Sequence, residues 1–338
     1  MMIGITYDLR EDYARAGYDD EETAEFDSIE TIEAIEFALH SLGHSTDRIG
    51  QVQALIHRLN RGDRWDLVFN IAEGMHGFGR QALVPALLDA YEIPYTFSDP
   101  LTLSVTLHKA TAKQVVREQG IPTADFQIIK TLADIEKLAL PFPLFIKPIA
   151  EGTSKGISET SKVRDQSELR SGCERLLARF RQPVLVETFL PGREFTVGML
   201  GTGDAAYALG IMEMGLLVEA EPEVYSFAYK MYYEQRVDFR LVADPAGAAA
   251  ARVALDAWRA LGCRDGGRVD LRCDVQGRPN FLEANPLAGL HPEHSDLVIL
   301  GRLKGVAHVE LIEKIVASAL SRVRGDPRRT SPAMQLAL

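Results

Sequence analysis

Along the first hundred residues, short apolar runs alternate with stretches whose apolar positions recur at helical spacing. "MIGITY" predicts a strand. In residues 28–42, "SIETIEAIEFALHSL", Ile29, Ile32, Ile35 and Leu39 repeat at three- and four-residue intervals behind Ser28, a fitting N-cap. "WDLVFN" predicts a second buried strand, "LVPALLDAY" a helix and "IPYTF" a short strand. This βαβ rhythm implies a parallel sheet with helices on its faces. A further helix is predicted over "TLHKATAKQVVREQG", ended by Gly120 with Pro122 beyond.

From about residue 122 the pattern changes. "ADFQIIK", "FPLFIKP" and "PVLVETFL" read as strands flanking a helix near 166–180. After 192 come four strand-like runs, "REFTVGMLG", "AAYALGIMEM", "GRVDLRCDV" and "PNFLEAN", with helices near 247–262 and 305–320. No internal repeat is present. The expected organisation is an α/β domain over 1–100, two α+β portions over 101–190 and 191–323, and a loose tail over 324–338.

Composition narrows the function classes. The chain of 338 residues is 46% apolar and 25% charged, and two or three domains fit that length. No apolar run approaches the roughly 18–20 residues of a membrane span, and the N-terminus lacks a signal-peptide pattern. Three cysteines without CxxC spacing suggest reduced thiols in a cytoplasmic protein. A net charge of −11 argues against a nucleic-acid surface, so the expected partner is a small molecule.

Two G-x-G-x-x-A matches, "GFGRQA" and "GTGDAA", show how common that pattern is, and no P-loop exists. "LFIKPIAEGTSKG" carries more. A strand delivers Lys147 to its end, and Gly152 and Gly156 flank Thr153, Ser154 and Lys155 in a turn suited to closing over phosphate oxygens. The plainer reading is a hairpin loop with surface lysines.

The strongest pattern joins "GRVDLRCDV" to "PNFLEAN". Alternation puts Arg268, Asp270 and Arg272 on one face. With a two-residue turn at Gln276-Gly277, Asp270 lies opposite Glu283 and Arg268 opposite Asn285. Facing Cβ atoms are about 4.5–5.5 Å apart, where like charges repel. A hard divalent cation would compensate them, with Asn285 as a further oxygen ligand; alternatively Arg268 and Arg272 neutralise the acids. Glu187 and Glu194 are candidate ligands for a nucleotide base or ribose, and Lys109 and Lys230 candidate phosphate lysines; each also reads as ordinary surface charge. His291 and His294 lack a convincing third zinc ligand.

In order and together, these segments resemble the D-alanine–D-alanine ligase branch of the ATP-grasp enzymes, over roughly residues 65–320. The carriers are "IPYTFSDPLTLSVTLHKATAKQVVREQGIPT", "FPLFIKPIAEGTSKG", "VLVETFLPGREFTVGMLG" and "GRVDLRCDVQGRPNFLEANP". The resemblance implies an ATP-grasp fold: a Rossmann-like N-terminal domain, then two α+β subdomains that sandwich ATP. It implies that Lys109 and Lys147 bind phosphates beneath a flap containing Gly152, Thr153 and Ser154. Glu187, Phe189 and Leu190 would meet the adenine, and Glu194 the ribose. Lys230 would close on the γ-phosphate, Asp270, Glu283 and Asn285 would hold Mg²⁺ (or Mn²⁺), and Arg268 would stabilise the reacting oxyanion. Ser154 and Lys230 would act with Arg268 in catalysis. The implied activity is ATP-dependent joining of an amino-acid carboxylate to an amine, in a homodimeric enzyme.

The sequence departs from that family where substrate is held. "TYDLREDY" replaces the expected loop after the first strand. "AEGMHGFGRQ" puts Glu73 and Arg80 in new roles. "PLAGL" follows Asn285, so Gly289, His294 and Ser295 become the candidate substrate residues. The expected substrates are therefore ATP and an amino acid or small peptide of open identity. An L-amino-acid or peptide ligase and a non-catalytic nucleotide-binding protein are the alternatives.

Overall fold

The structure, a computed structural model, describes residues 1–216 and 237–325, arranged around three sheets. In the first, β1 (Met2–Thr6) runs parallel to both neighbours, β2 (Ser45–Gly50) and β3 (Leu67–Asn70). The predicted helix spans Ile29–Ser41 and buries Ile32, Ile35, Ala38 and Leu39. Ile29 sits at its first position and remains exposed, and the Ser28 hydroxyl turns to Glu30 (2.8 Å) instead of capping an amide. Strand β2 was not legible because only Ile49 in "STDRIG" is buried.

"IPYTF" forms no regular strand. Tyr95 makes one parallel bridge to Val68, after which Phe97 turns into the left-handed region (φ 70°). That turn brings the Phe97 amide to the buried carboxylate of Asp265 (2.7 Å). Asp265 also accepts from Ser318 (2.8 Å) and Arg322 (2.6 Å), which joins the first sheet to the start of the third and to the helix His308–Gly325. That helix supplies Leu311, Ile312 and Ile315 to the core containing Ile3, Ile5 and Phe69, so the last described helix packs on the first domain.

The helix predicted over 106–120 spans parts of two, Pro100–Leu107 and Lys109–Glu118, broken where His108 adopts ψ 88°. The break sets Lys109 at a helix N-terminus whose amide donates to Ile149 O (3.0 Å).

The second sheet has the order β4 (Phe126–Ile129), β7 (Val184–Thr188), β5 (Leu144–Pro148), β6 (Lys162–Val163), all antiparallel. The helix Gln166–Phe180 buries Leu169, Cys173 and Leu176 against it. The third sheet is also antiparallel, in the order β10 (Val237–Leu241), β9 (Tyr207–Leu216), β8 (Glu194–Leu200), β11 (Gly266–Cys273), β12 (Pro279–Asn285). Its apolar face packs on the helix Pro245–Ala260, where Ala250, Ala254 and Ala257 let Trp258 lie deep. An unpredicted helix, Asp296–Leu303, follows the loop after β12. No helix among the described residues is long and apolar enough to cross a membrane.

Candidate active site

The hairpin of β11 and β12 puts Asp270 opposite Glu283 and Arg268 opposite Asn285, the predicted pairs. The route differs from the prediction. The turn is one residue longer, since Cys273 pairs with Pro279 and Gly277 takes φ 76°. A bulge then restores the register: Leu271 pairs with Phe281 while Asp270 pairs with Glu283, leaving Leu282 as the extra residue. Leu282 and Glu283 consequently both face the cleft between the second and third sheets.

The facing carboxylates are held by polar neighbours. Thr196 donates to Asp270 Oδ1 (2.9 Å), Arg268 pairs with Asp270 Oδ2, and Asn285 Nδ2 reaches both Asp270 (3.2 Å) and Glu283 (3.4 Å). Burial, with Glu283 and Asp296 nearby, pushes Asp270 up despite Arg268. For Glu283 burial works upward too, but Lys109, Lys147 and Arg268 outweigh it and hold the group below the usual carboxylate range. Two carboxylates with an amide that turns its oxygen inward on rotation make an all-oxygen donor set, the match for a hard divalent cation. Among the described residues no cluster of three or more His, Cys, Asp or Glu suits a metal; here the third donor is an amide.

Lys147 and Glu187 are diagonal neighbours on adjacent strands, Lys147 opposite Leu185 and Glu187 opposite Phe145, and Lys147 Nζ lies 2.9 Å from Glu187 Oε1. The second oxygen of Glu187 meets Lys113 Nζ, also at 2.9 Å. Burial would raise Glu187, yet the two ammonium groups outweigh it and pull the carboxyl down to about 2. Lys113 was missed in the sequence. The available signal was its position four residues after Lys109 in "HKATAK", one helical turn along the same face. Lys109 itself sits 3.2 Å from Glu283 Oε2 and donates to the carbonyl of Glu151. Glu194 pairs with Arg272 (3.1 Å), whose guanidinium lies over the Phe189 ring at 5.2 Å.

The loop after β5 forms a tight turn in which Lys155 N donates to Gly152 O (2.9 Å) and Thr153 and Ser154 both have positive φ (49° and 56°). Left-handed backbone at residues with a Cβ costs roughly 1–2 kcal/mol each, so the turn is held by its surroundings.

Two cavities meet at this point. The smaller, about 90 Å³, brings together Lys147, Ser154, Glu187, Phe189, Leu190 and Glu194, with Leu282 and Asp270 on its wall. The larger, about 600 Å³, is lined by Lys109, Gly152 and Thr153 on one side and by Gly289, His294, Ser295 and Glu73 on others. Arg268, Glu283 and Asp296 line both. Asp296, 3.5 Å from Arg268 Nε, was another residue missed, because nothing in "EHSD" marks its aspartate as the start of a helix that returns to β11.

Not every expected residue joins this site. Arg80 does not line the larger cavity: its buried guanidinium is taken up by Glu25 (2.7 Å) and Ala150 O (2.9 Å). Glu73 does line it, pushed up to about 8 by burial and by Glu25, and Gln81 donates to it (2.5 Å). Asp27, pushed up to about 7 by burial, lines the same wall. Ser295 Oγ accepts from His291 N (2.8 Å), and the His291 and His294 rings stack at 4.4 Å. Lys230 lies outside the described residues.

Residues 115–317 match the family model described as the D-ala D-ala ligase C-terminus. A D-alanine–D-alanine ligase of Bordetella petrii is 34% identical over 262 residues, covering 76% of this chain and 77% of that protein. The uncharacterized protein y4sG of Sinorhizobium fredii is 30% identical over 302 residues, covering 86% of this chain and 87% of that one. A D-alanine–D-alanine ligase from Bacillus anthracis, crystallised with ATP, has the same fold, with a TM-score of 0.72 at 22% identity over 96% of this chain and 98% of that one.

Proposed function

The chain belongs to the D-alanine–D-alanine ligase family, ATP-dependent ligases of ATP-grasp fold, and from that premise we propose that it activates an amino-acid carboxylate as an acyl phosphate and joins it to an amine, releasing ADP and phosphate. The observation that carries this reading is the meeting of the two cavities at Arg268, Glu283 and Asp296. A nucleotide in the smaller one would present its γ-phosphate where a carboxylate in the larger one can attack.

On this reading the adenine and ribose lie along Phe189, Leu190, Glu187 and Glu194. Lys147 and Lys109 neutralise phosphate oxygens; each ammonium has three donors and can serve a phosphate while keeping its carboxylate partner. Asp270, Glu283 and Asn285 would hold Mg²⁺, which supplies charge neutralisation between the β- and γ-phosphates. Arg268 is fixed between Asp270 and Asp296, so its charge is preorganised for the tetrahedral oxyanion formed when the amine adds. Ser154 and the flap backbone cover the phosphates and keep water from the acyl phosphate. Glu73, Gly289, His294 and Ser295 line the cavity that would receive the amino acids. D-alanine is the first substrate to try, as the relatives' names suggest.

Phosphate release from ATP, measured with Mg²⁺ across D- and L-amino acids and small peptides, tests the proposal. Release that depends on one acceptor, with an amide recovered, is expected. ATP turnover unaffected by any amino acid, or none at all, would overturn it.

A further inference from the structure

The phosphate flap is fastened at its tip by the first domain. Glu25 Oε1 accepts from the Gly152 amide (2.5 Å) and lies 3.4 Å from Lys155 Nζ, while Glu25 Oε2 accepts from Arg80 (2.7 Å). Arg80 in turn donates to Ala150 O at the base of the flap (2.9 Å). One carboxylate and one guanidinium therefore grip both ends of residues 150–155, from a domain that the flap itself does not belong to. Their side chains are 7% and 6% exposed, so the pair acts where water competes little.

We infer that Arg80 and Glu25 form a clasp that holds the 150–156 flap over the reacting phosphate, making Arg80 a positioning residue and not the substrate ligand its place in the sequence suggests. The inference rests on the ligase reading for its consequence in catalysis, but the clasp itself is a property of the folded chain. Three features support it. The flap turn is left-handed at Thr153 and Ser154, a conformation that persists only when its surroundings impose it. The Glu25 contact leaves no room for a side chain at position 152, since an added Cβ would lie 2.9 Å from Glu25 Oε1. Arg80 and Lys155 also outweigh burial and pull Glu25 down to about 2, so it stays charged throughout the neutral range.

Loss of the clasp loosens the flap without touching a reacting atom. Water then reaches the acyl phosphate, attacks its carbonyl carbon and returns the free carboxylate and inorganic phosphate in place of an amide.

Arg80→Met, Glu25→Gln and the double variant separate this from a merely structural role. Hydrogen exchange of residues 150–156 in the intact chain is the primary readout. All three variants are expected to exchange the flap amides at least about tenfold faster, because each loses a charged hydrogen bond to the flap, from the Gly152 amide to Glu25 or from Arg80 to Ala150 O. The double variant, which leaves no buried charge alone, should match the singles and keep the melting temperature close to the parent's. In steady state the KM for ATP should rise about tenfold or more, with more phosphate released per amide formed, and Arg80→Lys should recover part of both. Unchanged flap exchange in the double variant, whatever its activity, overturns the clasp. Failure of every form, the parent included, to make an amide would overturn only the ligase reading, since exchange reads the clasp without turnover.

Discussion

Asp270 and Glu283 stand directly opposite each other on adjacent antiparallel strands, with the amide of Asn285 reaching both carboxylates at 3.2 and 3.4 Å. Two acids in that position cost stability unless something positive lies between or beside them, and a cation that also gathers phosphate oxygens would do so. Asp270→Asn and Glu283→Gln should each lower Mg²⁺-dependent ADP formation by about a hundredfold or more, with thermal stability kept or raised for Asp270→Asn as the repulsion goes and lowered for Glu283→Gln, whose charge Lys109, Lys147 and Arg268 favour. Turnover within a few-fold of the parent at saturating Mg²⁺ would remove these residues from the metal site.

Glu187 carries two ammonium groups. Replacing it with Gln leaves Lys113 buried without its counter-charge and Lys147 with only Glu283 and Glu194 nearby, which should destabilise the protein by about 3–5 kcal/mol in urea titrations. The pH dependence has a definite sign. Because the folded pKa is depressed from 4.5 to about 2, the stabilisation is present above 4.5 and is lost as pH falls from 4.5 towards 2. The parent should therefore lose stability across that window more steeply than Glu187→Gln, by about one proton. Parallel curves would mean that the pairing contributes nothing.

Arg268→Lys keeps a charge but gives up the planar fork that spans Asp270 and Asp296. The expected result is a fall of about 10²–10³-fold in kcat with the KM for ATP nearly constant, as for the loss of an oxyanion donor. A rise in KM for ATP at unchanged kcat would assign Arg268 to nucleotide binding instead.

At Gly289 an added Cβ would come within 2.8 Å of Ser295 Oγ, the acceptor of the His291 amide. Gly289→Ala should therefore displace the loop that lines the larger cavity, raising the KM for the amino-acid substrates about tenfold while leaving that for ATP alone. Equal changes in both would show that the loop does not serve substrate choice.

Much of the proposed nucleotide side could be placed from sequence because Lys147 and Glu187 sit near the ends of apolar strands, β5 and β7, and Asp270 lies on the alternating strand β11. Periodicity alone fixes which way each side chain points there. Lys113 escaped notice because a lysine inside a helix normally reads as solvated surface, and only the third dimension brings Glu187 to it. The surroundings of Arg80 were hidden for a related reason. Its partner, Glu25, lies in a loop whose path no local pattern predicts, so a buried ion pair across 55 residues left no trace in the sequence. The return of the last helix to the first sheet was equally hidden, since its apolar stripe would fit any core.

The bulge at Leu282 carries an evolutionary corollary. Removing Leu282 alone would leave Leu271 opposite Phe281 and Asp270 opposite Glu283 on a straight strand, taking a leucine out of the cleft without parting the two acids. Homologous hairpins should thus be able to differ by this one residue while keeping the acidic pair, and a relative that lacks it should have a straight second strand.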